Sequence, residues 1–172
     1  KAYNYIFTAK GKRIRPLLTL LTSNSLYGEY SKSYNISLAI EVLHNFTLVH
    51  DDIMDDDDIR HGKDTVHKKW DVPTAILAGD ALLSISLNIL TNSGYDQNIL
   101  NTFNKGLLMV CEGQAIDKEY ESKESIDEQK YLTMIQHKTA HMIAMAVQMG
   151  GLAYQCDKEI SKKLFDYGFL IG

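Results

Sequence analysis

An apolar run with helical spacing ends without a linker in a block of acid. Ile36, Ala39, Ile40, Leu43, Phe46 and Thr47 follow the i, i+3, i+4 rule, which predicts an amphipathic helix with one face in a core. The same run continues as LVHDDIMDDDDIRHG, residues 48 to 62, with six aspartates between Asp51 and Asp58. On a helix, Asp51 and Asp55 share a face, and like charges at that spacing destabilise it. A cation would offset that cost. The carboxylates must also lie at the rim of a core, because no residues are left over to carry them away from it.

A solvated acidic loop is the plainer alternative for any acidic run. A calcium loop is disfavoured, because the D-x-D-x-D-G pattern with a distant glutamate is absent. Arg60 and His61 follow within two turns. Hard oxygen donors beside cations suit Mg²⁺, which completes its shell with water and phosphate oxygens.

The rest of the chain reads as further helices. Only two prolines occur, Pro16 and Pro73, among 172 residues, so long segments are free of helix breakers. Leu17 to Leu26 predicts a helix beginning just after Pro16, and Thr74 to Leu90 a second, interrupted by Gly79 and Asp80. Ile99 to about Tyr120, Glu128 to Gly150 and Glu159 to Leu170 follow. Gly28 to Ser33, Arg60 to Asp71, Thr91 to Asp96 and Ser122 to Ser125 read as loops or breaks. No sustained alternation marks a half-buried strand. The expected class is all-α, in one unit covering residues 1–172. The chain starts at Lys1 and stops at Gly172 without a polar tail, so both ends read as cut.

A net charge of −4 argues against nucleic acid as a partner. Cys111 and Cys156 have no metal or disulfide spacing, which favours a reduced, cytoplasmic setting. The most apolar stretch, Met142 to Ala153, is too short to cross a membrane.

Three further segments carry possible chemistry. GKRIRP, residues 11 to 16, places Lys12, Arg13 and Arg15 at a helix start, where orphan N–H groups add to their charge and suit an anion. It lacks the spacing of a P-loop, and alone it reads equally as a solvated basic turn. HKTAH, residues 137 to 141, spaces two histidines like a zinc pair but lacks the intervening glutamate. Lys138 and Thr139, a cation beside a hydroxyl, suit phosphate better. In GQAID, Gln114, Asp117 and Glu121 follow one helical face, otherwise an ordinary polar stripe.

In order, GKRIRP, HNFTLVHDDIMDDDDIRHGKDTVH, GDALL, EGQAID and YLTMIQHKTA resemble the trans-isoprenyl diphosphate synthases, which include farnesyl and geranylgeranyl diphosphate synthases. The match spans the whole chain. The resemblance implies an isoprenoid-synthase helical bundle around a deep cavity, and a homodimer that condenses isopentenyl diphosphate with an allylic diphosphate. It implies that Asp51, Asp52 and Asp55 bind Mg²⁺ bridging the allylic diphosphate, and that Lys12, Arg15 and His44 hold isopentenyl diphosphate. It assigns Arg60 and Lys138 to the allylic diphosphate, Thr139 to the vicinity of the carbocation, and Gln114 with Asp117 to support of the metal site. Such chemistry needs no protein nucleophile. Phe46, five residues before Asp51, resembles the cavity floor that stops growth near twenty carbons, and reads equally as core. Geranylgeranyl diphosphate is the expected product, with farnesyl diphosphate second.

His61 departs from the family, which has a second arginine there for isopentenyl diphosphate. No second aspartate motif is present, and DYGFLIG at residues 166 to 172 resembles the lead-in to one. A terpene cyclase of the same fold would need neither GKRIRP nor His44. A non-catalytic partner subunit would be free to lose its metal aspartates.

Overall fold

The structure, a computed structural model, describes residues 1–123 and 125–172. The elements in chain order are α1 (Ala2–Ile6), α2 (Ile14–Tyr27), α3 (Tyr34–Met54), a short hairpin of β1 (Ile59–Arg60) and β2 (Lys63–Asp64), α4 (Val66–Lys69), α5 (Val72–Thr91), α6 (Gln97–Glu121), α7 (Glu128–Ile135), α8 (His141–Leu152) and α9 (Lys158–Ile171). A π-helical turn, Gln136–Ala140, joins α7 to α8 without a break in helical backbone.

Local chemistry sets most of the starts. Asp71, Asp96, Asp127 and Asp157 each sit at an N-cap and accept a hydrogen bond from a first-turn amide, satisfying donors a helix leaves orphaned. Pro73 falls in the first turn of α5, where its missing N–H costs nothing. Gly28 ends α2 in the left-handed conformation at φ 71°, which a residue without Cβ adopts freely.

The core lies among α3, α5, α6 and α8. Ile36, Ile40, Leu43, Leu82, Phe103, Met142, Met145 and Met149 are all buried there. Helix α2 is fastened to α8 by polar contacts. Thr19 Oγ1 donates to the Ala146 carbonyl at 2.9 Å, and Ser23 Oγ to the Gly150 carbonyl at 2.6 Å. So close an approach requires Gly150, where a Cβ would stand 2.5 Å from the Thr19 carbonyl oxygen.

The helical class is as predicted, with four differences. Helix α1 carried no periodic signal, being five residues long. Helix α2 begins before Pro16, with Arg13 as its N-cap. Arg60 to Asp71 is not a plain loop: strands of two residues form a hairpin, and α4 follows. Finally, α5 is uninterrupted at Gly79 and Asp80. By length and composition it is also the one helix among the described residues that would suffice to cross a membrane, ahead of Met142 to Ala153. Its Ala75, Ala78, Leu82 and Leu90 are buried in the core. The expected break at Ser122 to Ser125 includes Glu124, which lies outside the described residues.

A methyl group at position 150 would meet backbone rather than a yielding side chain. Gly150→Ala should therefore destabilise the protein by roughly 1–3 kcal/mol, read from urea unfolding; an unchanged midpoint would contradict the close α2–α8 contact.

Candidate functional site

Helix α3 carries the acids past its own end. Asp51 lies in the last turn and Asp55 caps it, the Asp55 amide donating to the Asp51 carbonyl. Asp52 points to another side and is buried. The chain then reverses through the hairpin, whose register pairs Arg60 with Lys63 across a two-residue turn. His61 and Gly62 both have positive φ, 52° and 75°, the requirement of a tight turn of this kind. The reversal brings Arg60 back onto the acids: Nε and Nη2 each reach one Asp52 oxygen at 2.5 Å, and Nη2 reaches Asp57 at 3.0 Å.

Two cavities flank α3. The first, about 440 Å³, is enclosed by α1, the start of α2, α3 and the hairpin. Lys10, Lys12, Arg13, Arg15, Arg60, His61 and Lys63 line it, with Glu41, Asp52 and Asp64. Arg13 is engaged by Glu41 at 2.5 Å and Arg60 by Asp52. Arg15 instead places Nη1 3.2 Å from His44 Nε2, and its Nε is buried without a partner. Burial lowers the Arg15 pKa. Burial and the neighbouring arginines push His44 down to about 3, so its ring is neutral and Nε2 accepts from Arg15 while the proton resides on Nδ1. The uncapped start of α2 opens here too, since Arg13 makes no side-chain cap.

The second cavity, about 420 Å³, lies between α3, α6 and the π turn. Asp51, Met54, Lys118 and Lys138 are among its polar and mouth residues, and Phe46, Leu48, Val110 and Met142 form apolar wall. Arg15, His44 and Leu48 border both cavities, so this trio is the partition. Lys138 Nζ stands 2.6 Å from Asp117 and 3.6 Å from Asp51. Burial works against its charge, yet Asp117 and Asp51 outweigh burial and raise its pKa. Burial raises Asp51 and Asp52, against the pull of Lys138 and Arg60. The π turn presents Lys138 and Thr139 together, and α6 crosses it at Gly113, where a Cβ would lie 2.4 Å from the Lys138 backbone nitrogen. Gln114 is buried in the wall with both amide atoms unpartnered.

Of the predicted site residues, the structure gathers Asp51, Lys138, Thr139, Gln114 and Phe46 around the second cavity. It gathers Lys12, Arg15, His44, Arg60, His61 and Asp52 around the first. Asp52 thus lines the first cavity and Asp51 the second, while Asp55 lines neither. Among the described residues no three potential ligands converge on one point. Asp51 in the cavity lining and Asp55 one turn beyond it nonetheless fit Mg²⁺, which takes one or two carboxylates and fills its shell with water and phosphate. Two residues were missed. Lys118 donates to the Met54 carbonyl at 2.7 Å and pairs with Asp55 at 3.3 Å and Glu121 at 2.6 Å; its position one residue after Asp117 was the available signal. Glu41, which holds Arg13, had no local signal at all.

The family model described as polyprenyl synthetase matches residues 1–172. The chain is 40% identical over 174 residues to a geranylgeranyl diphosphate synthase of Saccharolobus solfataricus, covering 98% of this chain and 52% of that protein. It is 39% identical over 176 residues to a geranylgeranyl pyrophosphate synthase of Geoglobus acetivorans, covering 100% of this chain and 55% of that one. The crystal structure of geranylgeranyl pyrophosphate synthetase from Pyrococcus horikoshii superposes with a TM-score of 0.95 at 35% identity, over 99% of this chain and 54% of that chain. The chain thus spans about half the length of the relatives it matches.

His44 supplies a pH test. Its folded pKa lies below its unfolded value of about 6.5, so the unfolded state binds the extra proton, and stability is lost as pH falls through that window. The loss due to this group between pH 7 and pH 5 should be about 2 kcal/mol. His44→Gln should flatten the unfolding free energy across that range; an unchanged slope would contradict the neutral, half-buried imidazole.

Proposed function

The chain belongs to the polyprenyl synthetase family, and we propose that it carries the two-substrate site of a Mg²⁺-dependent trans-prenyltransferase. The reaction joins isopentenyl diphosphate to an allylic diphosphate and gives a short-chain polyprenyl diphosphate, geranylgeranyl diphosphate before farnesyl diphosphate. The observation that carries this reading is the pair of cavities on either side of α3, one lined by Lys10, Lys12, Arg13, Arg15, Arg60 and Lys63 and one with Asp51, Lys118 and Lys138 beside an apolar wall, which meet at Arg15, His44 and Leu48.

In this reading the first cavity holds isopentenyl diphosphate. Lys12, Arg15 and the open start of α2 take its charge, while neutral His44 orients Arg15 without competing for the anion. His61 stands beside them as a weaker substitute for arginine. The allylic diphosphate lies at the mouth of the second cavity with its prenyl chain directed toward Phe46. Asp51 and Asp55 would hold the metal, and Asp52, expected as a third metal aspartate, would act through Arg60. Bound Mg²⁺ supplies the positive charge that stabilises a departing diphosphate.

Breaking the allylic C–O bond leaves a carbocation and a diphosphate anion. Lys138 is preorganised beside that anion, and a fixed cation there lowers the barrier without reorganisation; Arg60, held by Asp52 in the wall of the first cavity, faces the other substrate. Thr139 and Gln114 offer dipoles near the cationic carbon. The isopentenyl double bond then forms the new C–C bond, and the proton lost passes to the diphosphate. Phe46 closes the floor and limits chain length. The same reading makes the protein a cytoplasmic homodimer acting on small molecules. A terpene cyclase of this fold is the second reading; the cation-lined cavity, with Arg15 Nε left unpartnered, has no use in an enzyme with one diphosphate.

With Mg²⁺, labelled isopentenyl diphosphate and an allylic primer, the full-length protein should yield elongated product, and Asp51→Ala in it should lower turnover by at least about a hundredfold with far-UV circular dichroism unchanged. No product from the unaltered protein, or full activity in Asp51→Ala, would refute the proposal.

A further inference from the structure

His50 is not among the residues used above, yet its side chain lies along the second cavity. It stands one turn beyond Phe46 on α3 and one residue before Asp51. A prenyl chain running from the metal aspartates to the Phe46 floor therefore passes it. The two rings meet edge-on, with centroids 4.8 Å apart, and His50 is among the residues lining the cavity.

The tip of the ring reaches away from the cavity into α5. Nε2 lies 3.4 Å from the Ile76 carbonyl, to which it donates, and 3.9 Å from an Asp80 oxygen. This seat exists because residue 79 lacks a side chain. A Cβ at Gly79 would stand 2.2 Å from His50 Nε2 and 2.5 Å from Cδ2. Glycine inside a helix costs about 1 kcal/mol relative to alanine, and a notch for His50 is the packing reason for one at this point of α5. Denied the notch, the ring must turn, and the open space beside it is the cavity.

We propose that Gly79 and His50 form a specificity pair, in which the glycine parks the imidazole and so sets the width of the prenyl passage between the diphosphate and the floor. This rests on the prenyltransferase reading. Gly79→Ala swings the ring into the passage. Short primers still fit above it, whereas longer chains are obstructed before they reach Phe46.

The test uses the full protein with Mg²⁺, isopentenyl diphosphate and either a five-carbon or a fifteen-carbon allylic diphosphate, with products separated by chain length. Gly79→Ala should shorten the main product by at least one five-carbon unit. It should cut kcat/KM for the fifteen-carbon primer about tenfold and leave KM for the five-carbon primer within twofold. Gly79→Ala combined with His50→Ala should restore the original length. His50→Ala alone, which needs no adjustment in α5, should raise kcat/KM for the fifteen-carbon primer severalfold. Unchanged product lengths in Gly79→Ala, persistent shortening in the double variant, or an unchanged fifteen-carbon kcat/KM in His50→Ala would each overturn the proposal. Absence of any product from the unaltered protein would instead remove the prenyltransferase reading, and this proposal with it.

Discussion

Neutralising the acids at the end of α3 is the constraint on which the site depends. Carboxylates at a helix C-terminus oppose the macrodipole, and here they also repel one another. Each of the three principal aspartates is met by a cation from a different element. Arg60 comes from the hairpin to Asp52, Lys138 from the π turn to Asp51, and Lys118 from α6 to Asp55. These pairs are partly exposed, and none needs to be strong alone. Together they decide where the hairpin folds back and which part of the π turn faces α3.

That arrangement gives one helix two different sides. Successive helical residues turn by about 100°, so adjacent aspartates at 51 and 52 serve opposite cavities. Asp51, one turn from Asp55, faces the apolar cavity. Asp52 ties Arg60 into the wall of the cationic one. Arg15 and neutral His44 stand between, available to both. A helix with a cavity on either side, the two sharing Arg15, His44 and Leu48, suits the proposed reaction of two diphosphate-bearing molecules.

The helices were largely legible in the sequence because their causes are local: apolar periodicity, four aspartate caps and few breakers. The hairpin was not, since two-residue strands are too short to show alternation, although the His61–Gly62 pair is a turn signal. The π turn had no local signal either; it coincides with the crossing of α6 at Gly113, which is set by tertiary packing. Within the site, the shared face of Asp51 and Asp55 follows from spacing alone. The same spacing turns Asp52 toward another side, where Arg60 meets it. Roles for Lys12, His44 and Lys138 came from family resemblance, because their partners lie far away in the chain. Lys118 and Glu41 were hidden for the same reason: Asp55 is 63 residues from one and Arg13 28 from the other.

The central claim is that α3 separates two diphosphate sites of unlike character. Calorimetric titration of the protein with isopentenyl diphosphate and with an unreactive thio analogue of the allylic diphosphate tests this directly. Isopentenyl diphosphate should bind one to one without Mg²⁺, and Arg15→Gln should weaken it. The allylic analogue should require Mg²⁺, be weakened by Asp51→Asn, and bind without displacing the other. Competition of the two ligands for a single site would contradict it.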